Sequence, residues 1–352
     1  MNREIIVNKK VRIGKGHKPF IIAEMSANHN QSLKRALAIV KAAARSGAHA
    51  IKLQTYTADT LTLNLKKREF FIKDKKSLWK GKSLYELYNK AYTPWEWHKP
   101  IIKLAKKLGI ICFSTPFDET AVDFLEKLNV PIYKIASFES VHLPLIRKVA
   151  STGKPMIIST GLASINEIRD AVRAAKSSGC KKIILLKCTS SYPAKAKDSN
   201  VLTIPHMKKI FNCEVGLSDH TLGIGAAVAA VANGATVIEK HFILNRKDGG
   251  VDSSFSMEPE DLKILVTESK RAWQSLGKVF YGPTPDERSS LIFRRSVYIS
   301  KNISAGTKLS KENIRIIRPS LGLAPKYYGK LIGRKVKCSL SKGTALKWRF
   351  IL

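Results

Sequence analysis

Apolar runs of four or five residues recur along the first 280 residues, each closing on a polar cluster and followed by an amphipathic stretch. The runs are 20–24, 50–54, 110–114, 132–135, 156–159, 183–187, 214–217 and 236–239. They are rich in β-branched residues and read as buried strands. The stretches between them carry helix start signals. Thr93-Pro94-Trp95-Glu96 and Ser164-Ile165-Asn166-Glu167 both have capping-box spacing, the first with proline at the first helical position. Leu33, Leu37, Val40 and Ala44 form one helical stripe that stops at Gly47. Eight strand–helix units in series predict a parallel sheet closed into a (β/α)8 TIM barrel. A doubly wound open sheet is the alternative. It usually carries a glycine-rich turn after its first strand, and Glu24-Met25-Ser26-Ala27-Asn28-His29-Asn30 contains no glycine. The insert 55–92, after the second strand, reads as a loop over the barrel mouth.

The pattern changes beyond Tyr281-Gly282-Pro283-Thr284-Pro285-Asp286, a linker by composition. Ile303-Ser304-Ala305-Gly306-Thr307-Lys308-Leu309 is echoed by Leu340-Ser341-Lys342-Gly343-Thr344-Ala345-Leu346. Each reads as strand, tight turn, strand, and together they predict a small pseudo-symmetric β domain. The boundaries are a barrel domain over 1–280 that opens with a β-hairpin cap (1–18), a linker over 281–290 and the β domain over 291–352.

Composition alters this picture in one respect. Lys and Arg number 62 against 27 Asp and Glu, a formal charge of +35. A nucleic-acid partner would suit that charge, but no RNP-like, KH-like or zinc-finger spacing is present. The lysines are scattered on helix faces. The densest run, Lys73 to Lys82, falls in the insert. An acidic small substrate suits the same sign, so we expect no nucleic-acid partner. No apolar stretch approaches the roughly 20 residues of a membrane span, and residues 1–18 lack a signal-peptide core, so a cytoplasmic protein is expected. Five cysteines with no C-x-x-C pair read as reduced core thiols.

Catalytic side chains of barrel enzymes gather at the C-terminal strand ends. Here those ends carry Glu24, Lys52 and Gln54, Ser114 and Thr115, Lys134, Ser137 and Glu139. Ser159, Thr160 and Gly161 follow, then Thr189 to Tyr192, Ser218-Asp219-His220 and Glu239-Lys240-His241. Lysines and hydroxyls around one mouth suit a phosphate and a carboxylate. Lys52 lies inside an apolar strand and needs an anionic partner; a Schiff-base role, as in barrel aldolases, is the alternative. His220 and His241 close adjacent strands, so two imidazoles meet at one mouth, with Asp219 and Glu239 nearby, and read as ligands of a catalytic divalent ion. His29 is a lesser candidate ligand.

Several of these stretches resemble the sialic acid synthase family. They are 21–30 around Glu24, Ile51-Lys52-Leu53-Gln54-Thr55-Tyr56, Ser114-Thr115-Pro116-Phe117, Tyr133-Lys134-Ile135-Ala136-Ser137-Phe138-Glu139, Gly216-Leu217-Ser218-Asp219-His220 and Glu239-Lys240-His241-Phe242. The likeness covers nearly the whole chain, and the tail resembles the family's antifreeze-like SAF (β-clip) domain. Met25 stands where leucine is more usual, and Ser190 where some members have asparagine. The resemblance implies condensation of phosphoenolpyruvate with the open-chain aldehyde of an acetamido sugar. Lys52, Thr115, Lys134, Ser137, Ser159, Ser190, Tyr192 and Ser218 would hold phosphoenolpyruvate. His220 and His241 would hold a divalent ion, manganese, with magnesium or cobalt as the alternatives. Gln54, Glu139 and Asp252 would contact the sugar, and Glu24 would handle protons. Arg318 would complete the sugar site of a partner subunit in a domain-swapped homodimer. Gly249-Gly250-Val251-Asp252-Ser253 and 318–326 point to the branch whose acceptor is 2,4-diacetamido-2,4,6-trideoxy-L-altrose, with another acetamido sugar as the alternative.

Overall fold

In the computed structural model, which describes residues 4–8, 11–73 and 78–352, eight parallel strands close on themselves. They are β1 (Phe20–Glu24), β2 (Ala50–Thr55), β3 (Ile111–Pro116), β4 (Tyr133–Ile135), β5 (Met156–Ser159), β6 (Ile183–Cys188), β7 (Glu214–Asp219) and β8 (Val237–His241). Chain order is barrel order, and β8 pairs with β1, placing His241 beside Glu24. The outer ring is α1 (Leu33–Arg45), α2 (His98–Lys107), α3 (Glu119–Lys127), α4 (Leu143–Ser151), α5 (Ile165–Ser177), α6 (Thr203–Phe211), α7 (Gly225–Ala232) and α8 (Pro259–Ser275).

Strand parity positions everything that follows. Alternate residues face opposite sides of a sheet. Phe20, Ile22, Ala50, Ile111, Phe113, Ile132, Ile157, Ile184, Leu186 and Val237 form one buried apolar cluster. Ile5, Val7 and Ile13 from the hairpin Ile5–Ile6/Arg12–Ile13 belong to the same cluster. Their odd-numbered and even-numbered neighbours, such as Ile21, Ala23, Ile51, Leu53, Ile158, Leu185 and Leu217, pack against the helices instead. Gly216 is the interior position of β7 with no room for a side chain: a Cβ there would overlap the Val237 carbonyl oxygen. Continuing the interior parity toward the strand ends gives Glu24, Lys52, Thr115, Lys134, Ser159, Cys188, Ser218, Glu239 and His241. The barrel is greasy below and polar at the top.

Some expectations change on the way. Ser164 does form a capping box with Glu167 at the start of α5. Thr93 does not. Pro94 opens a short 3-10 turn (Trp95–Trp97) with no side-chain cap, and the Thr93 hydroxyl meets His29 Nε2 at 3.2 Å. In α1 the buried face is Ala36, Ile39, Val40 and Ala43, so the stripe through Leu33 and Leu37 is its flank. The insert is not a bare loop: it carries helices Ala58–Leu61 and Leu84–Ala91. Residues 74–77 of the basic run, and 1–3 and 9–10 of the hairpin cap, lie outside the described residues. Among the described residues no helix is long and apolar enough to cross a membrane.

The chain divides into two compact units, Met1–Gly277 and Lys278–Leu352. The second is built on an antiparallel pair, β9 (Ser296–Ile299) and β10 (Ile314–Ile317), over a core of Val297, Ile299, Leu309, Ile314, Val336 and Leu346. The echoed segments are not independent hairpins. They bond to each other, Ile303 N to Leu340 O at 3.0 Å and Leu340 N to Ile303 O at 2.8 Å.

Candidate active site

Lys52 is the hub of the mouth. Its buried Nζ lies 2.9 Å from Glu24 Oε2, 3.1 Å from Glu239 Oε1 and 3.4 Å from Thr115 Oγ1. Lys134 Nζ stands 3.4 Å from the same Glu239 oxygen, and Ser218 Oγ donates to it at 3.2 Å. The anionic partners expected for Lys52 are therefore protein carboxylates in this structure. Glu239, singled out only as a neighbour of the imidazoles, is the shared anchor of both lysines. Its parity with His241, two residues on, was the signal available.

The two carboxyls titrate in opposite directions. Burial lifts Glu24 to about 7, against the pull of Lys52. Burial also acts on Glu239, but Lys134 and Lys52 outweigh it and hold that group at about 2. Glu24 is thus the carboxyl that can take up and release a proton near neutrality, while Glu239 stays an anion. Glu24 Oε1 accepts from the Ser26 N–H (3.1 Å) and from Gln54 Nε2 (3.0 Å). Gln54 is held by the catalytic carboxyl candidate, and by Ser26 Oγ at 3.0 Å.

Beside the lysines lies a cradle of hydroxyls. Ser137 Oγ accepts from the Gly161 N–H at 3.2 Å. A Cβ on Gly161 would overlap Ser190 Oγ and stand 2.7 Å from Ser137 Oγ, so the glycine keeps the two serines close. Ser159 Oγ is buried with no hydrogen-bond partner. Cys188, four residues up the strand from Ile184, lies 3.8 Å from Ser190 Oγ and 3.9 Å from His220 Nδ1. Burial raises its thiol, but the His220 contact outweighs this and brings it to about 7. It is a free, buried thiol, as expected, but one that faces the site. Cys338 departs differently: it is exposed, whereas the other four cysteines are buried and all five are free.

The imidazoles of His220 and His241 meet with ring centroids 5.3 Å apart. His220 Nδ1 bonds the Thr189 carbonyl at 2.9 Å, which places the proton on Nδ1 and leaves the Nε2 lone pair for a ligand. Burial pushes His241 well below the usual imidazole range. Its Nδ1 has no hydrogen-bond partner and lies 3.8 Å from Asp252 Oδ2. Tyr192 packs on His220 at 4.5 Å and Phe255 on His241 at 4.9 Å. Among the described residues no three His, Cys, Asp or Glu side chains converge as a metal cage. The pair fits an ion that takes two protein nitrogens and fills its shell from water and substrate.

The remaining residues sort by position. Burial lifts the Glu139 carboxyl to about 6, with Lys134 and Lys52 opposing, and its Oε2 is buried without a partner. Asp252 is buried and raised by desolvation, with Ala27 N at 3.5 Å from Oδ2. Asp219 and Lys240, expected at the mouth, face outward by parity. They pair at 2.7 Å behind the imidazoles, and Lys240 Nζ also donates to the Thr221 and Gly223 carbonyls at 2.7 and 3.1 Å. Ser114 likewise faces out, bonded to Thr55 at 2.6 Å. His29 is no ligand: it is buried on Thr93 and accepts from the Gln31 N–H at 3.2 Å. Arg318 is an exposed residue of the second unit.

A (β/α)8 barrel does its chemistry at this mouth, and cations already half-neutralised by carboxylates can exchange them for a substrate anion. The chain is a barrel enzyme for an anionic substrate. It belongs to the NeuB family, whose model matches residues 39–281, and a SAF domain model matches 294–352. That bears out the family resemblance and the barrel-plus-SAF architecture read from the sequence. Pseudaminic acid synthase of Campylobacter jejuni is 45% identical over 94% of this chain and 96% of its own length. The Helicobacter pylori protein of the same name is 44% identical over 93% and 96%. A crystal structure of N-acetylneuraminic acid (sialic acid) synthetase from Leptospira borgpetersenii superposes with a TM-score of 0.72 at 34% identity, covering 83% of this chain and 96% of that one.

Proposed function

We propose that this chain is a pseudaminic acid synthase, condensing phosphoenolpyruvate, water and 2,4-diacetamido-2,4,6-trideoxy-L-altrose into pseudaminate and phosphate. The observation that carries it is the meeting of Lys52 and Lys134, the Ser137–Gly161–Ser190 cradle and the paired imidazoles in one mouth. The names of the relatives point to the same acceptor branch.

Phosphoenolpyruvate brings a phosphate monoester of about −2 and a carboxylate. Lys52, Lys134 and Thr115 take the charge, with Ser137, Ser159, Ser190, Tyr192 and Ser218 as donors. The unpartnered Ser159 hydroxyl gains an acceptor. Gln54, Glu139 and Asp252 orient the acceptor sugar. His220 and His241 would hold a divalent ion, manganese by family resemblance, and that ion would supply Lewis-acid polarisation of the aldehyde oxygen. C3 of the enol attacks the aldehyde carbon. Glu24 in its protonated form gives its proton to the new alkoxide, and as a carboxylate it takes one from the water that adds at C2. Phosphate then leaves with the bridging oxygen, by C–O cleavage, and takes the proton of the C2 hydroxyl as the ketone forms. The proton lent in the first step returns in the second.

We assign Arg318 to the sugar site of a second copy in a domain-swapped dimer; its exposure on the second unit supports this. A sedimentation mass of two chains checks it. Four buried, unbridged cysteines favour the cytoplasm.

Phosphate release should require both phosphoenolpyruvate and the diacetamido sugar, and stop with chelator until manganese is restored. In H2(18)O the label should enter the sugar acid and not the phosphate. Release from phosphoenolpyruvate alone, or a clear preference for N-acetylmannosamine, overturns the assignment.

A further inference from the structure

The loop that carries Asp252 has a second face. Asp252 turns inward to His241, while its neighbours Val251, Ser253 and Ser254 line a cavity of about 420 Å³ with Leu78, Trp79 and Lys82 of the insert. Trp79 ties the two walls together, its Nε1 donating to the Val251 carbonyl at 3.1 Å. The Trp79 ring stands 6.0 Å from that of Tyr192, which is 4.5 Å from that of His220. The cavity therefore begins one aromatic ring beyond the imidazole pair.

An open six-carbon chain spans roughly 6 Å, five bonds of about 1.5 Å in a zigzag. An acceptor with its aldehyde at His220 and His241 would bring C5, C6 and the acetamido group on C4 alongside Tyr192 and toward the cavity. We propose that this cavity is the acceptor's distal subsite, in which Leu78, Trp79 and Val251 select the C6 methyl and the methyl of the C4 acetamido group. The inference rests on the acceptor chemistry proposed above. A sugar carrying hydroxyls at both carbons would lose the apolar contact of Leu78, Trp79 and Val251, with only Lys82, Ser253 and Ser254 of the same cavity to meet them. Apolar pockets discriminate single methyl groups by about 10–200-fold, so the selection is real but moderate. Trp79 and Val251 are specificity-determining residues, and neither touches the reacting atoms.

Trp79→Ala and Val251→Ser are the variants to make, with kcat and KM measured for phosphoenolpyruvate, for the diacetamido-trideoxy sugar and for N-acetylmannosamine. We expect a loss of at least tenfold in kcat/KM for the trideoxy sugar, carried by KM. The KM for phosphoenolpyruvate should stay within twofold, and the preference over N-acetylmannosamine should shrink. Equal losses for both sugars, or a parallel rise in the phosphoenolpyruvate KM, would mean that the insert merely packs the loop, and the proposal falls. Saturation-transfer NMR of the trideoxy sugar separates this from failure of the functional assignment. If wild type turns over neither sugar, methyl saturation that disappears in Trp79→Ala still supports the subsite. Its absence in wild type removes it.

Discussion

Two buried lysine–carboxylate clusters sit on opposite sides of the barrel wall, and they are built differently. Behind the barrel wall, Lys240 has three donors and three acceptors: Asp219 Oδ2 and the Thr221 and Gly223 carbonyls. Inside the mouth, Lys52 and Lys134 share one oxygen of Glu239, and Glu239 Oε2, Glu139 Oε2, Ser159 Oγ and His241 Nδ1 are buried without hydrogen-bond partners. Unmade hydrogen bonds in a buried site cost free energy. A fully matched cluster holds backbone in place, here the loop that presents His220. A mismatched one is poised for a ligand.

That contrast can be broken in four ways. Glu24→Gln should cut kcat by about 10²–10⁴-fold with the fold intact, since it removes the proton carrier; circular dichroism and phosphate release check both halves. Asp219→Ala should cost about 3–5 kcal/mol of stability, because it strands the Lys240 ammonium. Lys134→Met should cost distinctly less, since Glu239 keeps Lys52 and Ser218. Equal losses in urea melts of the two variants would erase the distinction. Gly161→Ala should cost about 1–3 kcal/mol of phosphoenolpyruvate binding by crowding the cradle, with little change in the acceptor KM.

The smallest effect is in pH. The folded-state value of Glu24, about 7, lies above its ordinary 4.5. The folded state therefore holds the extra proton between those values. The stability that Glu24 contributes is complete below 4.5 and is lost as pH rises through 7. The melting temperature of wild type relative to Glu24→Gln should fall across that window and be flat below it. A difference that grows more favourable with rising pH contradicts the assignment.

Much of the fold was legible because interior strands must be apolar in alternation. Two strands, 20–24 and 156–159, match to the residue. The fourth starts one residue late, at Tyr133, and the other five run on further than expected because their tops, such as Ser218-Asp219 and Lys240-His241, are polar and look like loop. Parity was the neglected signal. It puts Glu239 inside with His241, and turns Asp219 and Lys240 outward. Which carboxylate meets which lysine depends on how strands two, four and eight converge across the closed barrel, and that no local pattern carries. Thr93 shows the opposite failure: the motif had the right letters, but Pro94 starts a 3-10 turn and His29 takes the hydroxyl.

Calorimetric titration of phosphoenolpyruvate into wild type, Lys134→Met and Lys240→Met tests the central claim most directly. The mouth cluster should bind the anion and the rear cluster should not, so affinity should drop at least tenfold in Lys134→Met and stay near wild type in a folded Lys240→Met. Undiminished binding to Lys134→Met would contradict the account.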